Sequence, residues 1–258
     1  MRTTKLIMIT NDDGIDAPGL RTAYEAVRDL GDTWVVGPKH EYSSCSHSVT
    51  LLKPIFCTKL APRRYAIEGT PADTVFVACS DLLPRLPDLV VSGVNAGPNL
   101  GKDAFYSGTI AAAREAAFRG IPSVAVSLQR GGRLEEARRI VRMIARAVLG
   151  GRRWKAPLIL NVNVPTGRPR GLRLTRLGRR MYQDHVIRRT SPRKQRYYWI
   201  NGGEARVPPG RGSDGEALAR GFVSITPLGL DQTGGGLAEG KWRSFLEDLE
   251  RLWSSLAG

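Results

Sequence analysis

Short apolar runs that stop at oxygen-bearing residues alternate along this chain with longer stretches of helical periodicity. Leu6-Ile7-Met8-Ile9 is apolar at consecutive positions and gives way to Asn11-Asp12-Asp13-Gly14, the mark of a strand buried on both faces. Pro18 and Gly19 lead into a segment where Leu20, Ala23, Val27 and Leu30 recur with the period of an amphipathic helix. After the turn signal Gly31-Asp32, Trp34-Val35-Val36 reads as a second strand. Strand, helix and strand with short connections form a βαβ unit, which makes the strands parallel. The pattern recurs in strands over Asp88–Ser92, Ser123–Ser127 and Leu158–Val162, and in helices over Ser107–Arg119 and Leu134–Leu149. An α/β fold with a mainly parallel sheet is the expectation.

Beyond Pro165 the pattern changes. Arginine-rich alternating segments such as Gly171 to Leu177, and Gly and Pro around Pro208-Pro209-Gly210, predict half-exposed strands in a β-hairpin or extended arm. A last helix is predicted from Lys241 to Leu256. The whole chain, 1–258, reads as a single domain: a core over about 5–165 and 221–233, an arm over about 166–220, and a C-terminal helix over about 241–256.

Composition modifies this picture only in part. The formal net charge is +15, and between positions 152 and 196 Arg152, Arg153, Lys155, Arg168, Arg170, Arg173, Arg176, Arg179, Arg180, Arg188, Arg189, Arg193, Lys194 and Arg196 face only Asp184. Such a field attracts phosphorylated or polyanionic ligands and is also met by a basic surface with no partner. No zinc-finger spacing or RNA-binding aromatic signature accompanies it, so nucleic acid is not the favoured partner. Cys45, Cys57 and Cys79 are an odd number without metal-ligand spacing, the usage of a reduced, cytoplasmic protein. No apolar run approaches a membrane span, and Leu6–Ile9 is too short for a signal-peptide core.

The chemistry concentrates at predicted strand ends and helix starts, which share one edge of an open parallel sheet. Asp12 and Asp13 follow the first strand, Ser43 the second, and Asn95 the strand through Val91. Adjacent carboxylates at a buried strand end repel, and a bound divalent cation removes that penalty; ordinary turn chemistry is the competing reading. Ser43 and Asn95 would complete a hard-oxygen set, or serve as local backbone partners. Ser107-Gly108-Thr109 opens a helix, where a cap and a phosphate site use the same free N–H groups. Gly69-Thr70-Pro71-Ala72-Asp73 fits a structural capping box. His40, His47 and His185 lack ligand spacing, although His40 and His47 flank Ser43.

The run Thr10-Asn11-Asp12-Asp13-Gly14-Ile15-Asp16-Ala17-Pro18-Gly19-Leu20 resembles the signature of the SurE (survival protein E) 5′-nucleotidases. The resemblance continues through Gly69–Asp73, Ser92–Gly101, Tyr106–Thr109, Asn161–Pro165, Tyr197–Ile200 and Val223–Leu228. It implies a Rossmann-like core with helices on both faces, one divalent metal ion (Mg²⁺ or Mn²⁺), and hydrolysis of nucleoside monophosphates to nucleoside and phosphate. Carried over by motif, Asp12, Asp13, Ser43 and Asn95 would hold the metal, with Asp12 and Asp13 also catalytic. Ser107, Gly108 and Thr109 would lie at the phosphate with Asn95 and Asn99 nearby, and subunits would pair as a dimer or tetramer by exchanging the arm. Two places depart from the family pattern: Lys39-His40-Glu41-Tyr42-Ser43-Ser44 where Asp-Arg-x-x-Ser-Gly is usual, and Ser191-Pro192-Arg193-Lys194 where Asp-Pro-x-Gly is usual. Attack by water and passage through an Asp12 phosphoenzyme both remain open. Polyphosphate or another phosphate ester as main substrate, or a basic nucleic-acid-binding protein, are the alternatives.

Overall fold

A computed structural model describes residues 4–150, 158–179, 181–206 and 210–231. Residues 1–228 form one compact unit and 229–258 a second; the predicted helix at 241–256 and the end of the predicted core lie outside the described residues.

The apolar run at the start is β1 (Leu6–Thr10), buried at every position. It is followed by α1 (Pro18–Val27), β2 (Asp32–Pro38), the hairpin β3 (Cys57–Ala61) and β4 (Arg64–Ile67), and α2 (Pro71–Val77), which continues into a π-helical turn over Ala78–Leu82. Then come β5 (Leu89–Ala96), α3 (Asp103–Tyr106), α4 (Gly108–Phe118), β6 (Ser123–Leu128), α5 (Leu134–Leu149) and β7 (Ile159–Val164). The remainder is β8 (Leu172–Leu174), β9 (Met181–Thr190), β10 (Arg196–Arg206), α6 (Asp214–Ala219) and β11 (Val223–Pro227). Among the described residues, nine strands form one sheet in the order β3-β4-β2-β1-β5-β6-β7-β11-β8, and β9 and β10 form a separate hairpin. From β4 to β7 every pairing is parallel; β3 and β11 run antiparallel to their neighbours β4 and β7.

Alternation along β1 sorts its side chains to two cores. Ile7 and Ile9 pack with Leu20 and Val27 of α1 and Ile140 and Ile144 of α5, whereas Leu6 and Met8 pack with Val75 of α2 and Ala112 and Ala116 of α4. Helices therefore cover both faces, which is why the first strand carries no polar positions until its end.

The structure departs from the sequence reading at several ends. The helix expected to reach Leu30 stops at Val27, because Leu30 closes a turn onto the Val27 carbonyl at 2.8 Å. The strand expected to stop at Ser92 runs on to Ala96, so Asn95 lies in the strand, beside an irregularity in its pairing with β6. The β3–β4 hairpin was not anticipated; its first strand is exposed throughout, which erases the apolar signal. Inside the segment 166–220, β8 joins the main sheet through β11 and α6 packs on β11, while β9 and β10 pair only with each other.

Candidate active site at the end of the first strand

Strand β1 has β2 on one side and β5 on the other, so the chain order reverses across it and a crevice opens beyond its C-terminal end. Residues 11–14 fill that position. Asn11 donates through Nδ2 to the Gly14 carbonyl at 2.9 Å, which turns the chain sharply and leaves Asn11 Oδ1 buried without a partner among the described residues.

Asp12 is 4% exposed. Its Oδ1 accepts the Thr109 hydroxyl of α4 at 2.6 Å, and the Thr109 backbone N–H also donates to it. Burial raises its carboxyl from 3.8 to about 6, against the Thr109 hydroxyl, which lowers it, and with the Asp13 charge, which adds to the rise. Asp13 is also raised, first by burial; the Ala96 N–H opposes this and the Glu41 charge adds to it. Two neighbouring carboxylates held with raised pKa values are a strained anionic pair that a cation relieves. Gly108 allows the close approach: a Cβ there would stand 2.8 Å from Asp12 Cβ and 3.1 Å from Cys45 Sγ.

The Ser43 loop is pinned across this end of the sheet. Tyr42 N–H donates to the Asp12 carbonyl at 2.8 Å, and Ser46 donates through its backbone N–H to the Tyr106 carbonyl at 2.9 Å and through Oγ to the Phe105 carbonyl at 2.7 Å. Ser43 itself donates to Glu41 at 2.6 Å, leaving its oxygen lone pairs as acceptors. Ser44 takes the left-handed conformation at φ 58°, which glycine adopts without strain. Asn95 donates through Nδ2 to the Gly97 carbonyl at 2.7 Å, so Oδ1 is the atom left for a cation.

Ser107 caps α4, accepting the Ile110 N–H at 3.2 Å. Asn99 is more deeply committed. It donates to Ser127 through Nδ2 at 2.8 Å and to Asn163 Oδ1 through its backbone N–H at 2.8 Å, and its carbonyl accepts from Asn161 and Asn163. Asn99 thus shapes the loop beside the site. His47 is tied to Glu115 of α4 at 2.9 Å, six residues beyond Thr109 and roughly 9 Å along the helix; it is a strut for the loop. His40 is exposed, and His185 backbone pairs across the hairpin with Asn201.

Four residues at the site were given no site role from sequence. Glu41 is the third acidic group, and Cys45 Sγ lies against Gly108, its thiol raised by burial and by the Asp12 charge. Asn161 and Asn163 share one face of β7 (i, i+2), a polar pair in a buried strand that would have signalled a clamp. Among the described residues no three His, Cys, Asp or Glu side chains gather as a metal-holding group. The available set is two carboxylates, a hydroxyl and an amide, hard oxygen donors that fit Mg²⁺ or Mn²⁺ better than a thiophilic metal.

Known proteins share this arrangement of elements and motifs. The family model described as survival protein SurE matches residues 7–184. A 5′-nucleotidase SurE from Anaeromyxobacter dehalogenans (strain 2CP-C) is 47% identical over 234 residues, 88% of this chain and 91% of that protein. One from Pelobacter propionicus is 46% identical over 88% of this chain and 94% of its own length. The crystal structure of the SurE protein from Aquifex aeolicus superimposes with a TM-score of 0.80 at 36% identity, covering 91% of this chain and 97% of that one. With more than half of its length inside the family model and relatives this close over most of their own length, the chain belongs to the SurE family.

Proposed function

We propose that the chain is a 5′-nucleotidase that hydrolyses nucleoside monophosphates to nucleoside and phosphate in a crevice at the end of β1. The observation that carries this reading is the contact of buried Asp12 with Thr109: it sets a carboxylate pair beside the first turn of α4, where N–H groups attract a phosphate.

Asp12, Asp13, Ser43 and Asn95 would hold one divalent cation, Mg²⁺ or Mn²⁺. When bound, the ion neutralises charge on the phosphoryl oxygens. The Ser107 hydroxyl and the Gly108 N–H would bind and orient the phosphate beside Thr109, whose own donors go to Asp12, with Asn99 holding the adjacent loop in place. Thr109 keeps Asp12 in one rotamer, and the Ala96 N–H does the same for Asp13. In net balance, the phosphorus–oxygen bond to the ribose breaks, a water oxygen takes its place on phosphorus, and a water proton ends on the ribose oxygen.

Free thiols at Cys45, Cys57 and Cys79 support a cytoplasmic location. Among the described residues no helix is long and apolar enough to cross a membrane. Exposed Tyr198, Trp199 and Ile200 on the hairpin support self-association through the arm as a dimer or tetramer.

Phosphate release from a panel of nucleoside monophosphates with Mn²⁺, Mg²⁺ or chelator tests the reading. Metal-dependent release is expected from the wild type, with a loss of about 100-fold or more in Asp13→Asn. Release from no nucleotide with either metal would remove the nucleotidase assignment.

A further inference from the structure

We infer that Asp214 is a positioning residue that ties the loop between Asn95 and Ser107 to the root of the β9–β10 hairpin. The catalytic consequence rests on the nucleotidase reading; the tie itself rests on hydrogen bonds. Asp214 is the first residue of α6 and is fully buried. Its Oδ2 accepts the Gly101 N–H at 2.8 Å. Its Oδ1 accepts the Gly178 N–H at 2.8 Å and the Gly215 N–H at 2.8 Å. One side chain thus binds three backbone amides from three parts of the chain, and such a group resists displacement because each donor would be left unpaired in a buried place.

The two ends of this tie matter differently. Gly101 follows the Asn99 carbonyl clamped by Asn161 and Asn163, takes φ +52°, and leads into α3 and then Ser107. A shift at Gly101 therefore moves the candidate ligand Asn95 on one side and the candidate phosphate site on the other. Gly178 stands three residues before Met181, the first residue of β9. The strip around it is fastened to the same turn: Asp214 N–H donates to the Arg176 carbonyl at 2.9 Å and Arg176 N–H to the Gly212 carbonyl at 3.1 Å. The hairpin root and the site loop thus share one carboxylate.

The two ends can be perturbed separately. In Asp214→Asn, the remaining oxygen suits the two donors at Gly178 and Gly215, and the new NH₂ faces the Gly101 N–H, donor against donor. In Gly178→Ala, the new Cβ would lie 2.9 Å from Asp214 Oδ1 and 3.0 Å from Ser213 Cβ, pressing on the carboxylate from the hairpin side. Ile144→Val, in the core against α1, controls for lost stability alone.

The experiment measures amide hydrogen exchange over residues 97–106 and steady-state hydrolysis of a nucleoside monophosphate on the full chain of each protein. Exchange roughly tenfold faster in Asp214→Asn and in Gly178→Ala, with the Ile144→Val segment unchanged, is the expected result. With it comes a fall in kcat of roughly tenfold or more and a smaller change in KM, as for misplaced catalytic groups with binding kept. Wild-type exchange in Asp214→Asn overturns the tie to the site loop, and wild-type exchange in Gly178→Ala overturns the link to the hairpin. Faster exchange with unchanged kcat would reduce Asp214 to a structural role. If the wild type itself hydrolyses no nucleotide, the nucleotidase reading falls and the exchange measurement alone decides the tie.

Discussion

Asp12 concentrates the electrostatic cost of the site in one side chain. Its carboxyl titrates at 3.8 in the ordinary case and at about 6 in the fold, chiefly because it is buried. Between those values the folded chain keeps a proton that the unfolded chain has released, so stability falls as pH rises from about 4 to about 6. The full effect is on the order of 3 kcal/mol. Asp12→Asn removes it. In chelator, urea unfolding should find the variant more stable than wild type at pH 7.5, with the advantage gone near pH 4. Added Mn²⁺ should raise the wild type at pH 7.5 and leave the variant nearly unchanged. An equal wild-type-to-variant difference at both pH values would show that burial of this charge is not what the group contributes.

At the scale of elements, the start of α2 does more than end a loop. Thr70 accepts the Asp73 N–H at 3.1 Å and Asp73 accepts the Thr70 N–H at 2.9 Å, a reciprocal capping box. The other Asp73 oxygen accepts the Thr50 N–H at 2.8 Å, and Thr70 donates to the Ser48 carbonyl at 2.7 Å. One cap therefore stiffens the far end of the loop that carries Ser43. Asp73→Ala keeps the Thr70 cap but strands the Thr70 and Thr50 amides that the carboxylate accepts, with an expected cost of about 2–3 kcal/mol. Urea denaturation with an unchanged m-value would register it, and a cost below about 0.5 kcal/mol would mean that water replaces the carboxylate without penalty.

For the whole molecule, the hairpin is the outlier. Residues of β10 alternate sides, yet Tyr197 and Trp199 are 41% and 62% exposed and Tyr198 and Ile200 58% and 83%, so neither face of the ribbon is covered. A two-stranded ribbon with apolar residues on both faces is marginal in water by itself. A second copy of the chain is the partner that the proposed assembly supplies. Trp199→Glu should lower the mass measured by light scattering toward the monomer. Unchanged mass would move the subunit contact away from this strand.

Much of the candidate site's local geometry was legible because its hydrogen bonds are local in sequence. Asn11 to Gly14 turns on its own side-chain bond, Thr70 to Asp73 is a closed box, and Ser107 caps the helix it precedes. Apolar runs and helical periods likewise made the parallel direction of β1, β2, β5, β6 and β7 legible, since a strand covered on both faces has to be apolar throughout. The tertiary structure decided what depends on partners far along the chain. Asn99, read as a neighbour of the phosphate, is held by Ser127, Asn161 and Asn163; His47 turns to Glu115; Asp214 reaches Gly101 across 113 positions. Such bonds leave no periodicity behind. A buried polar group must find a donor or acceptor, and only the packed sheet determines which one lies within about 3 Å.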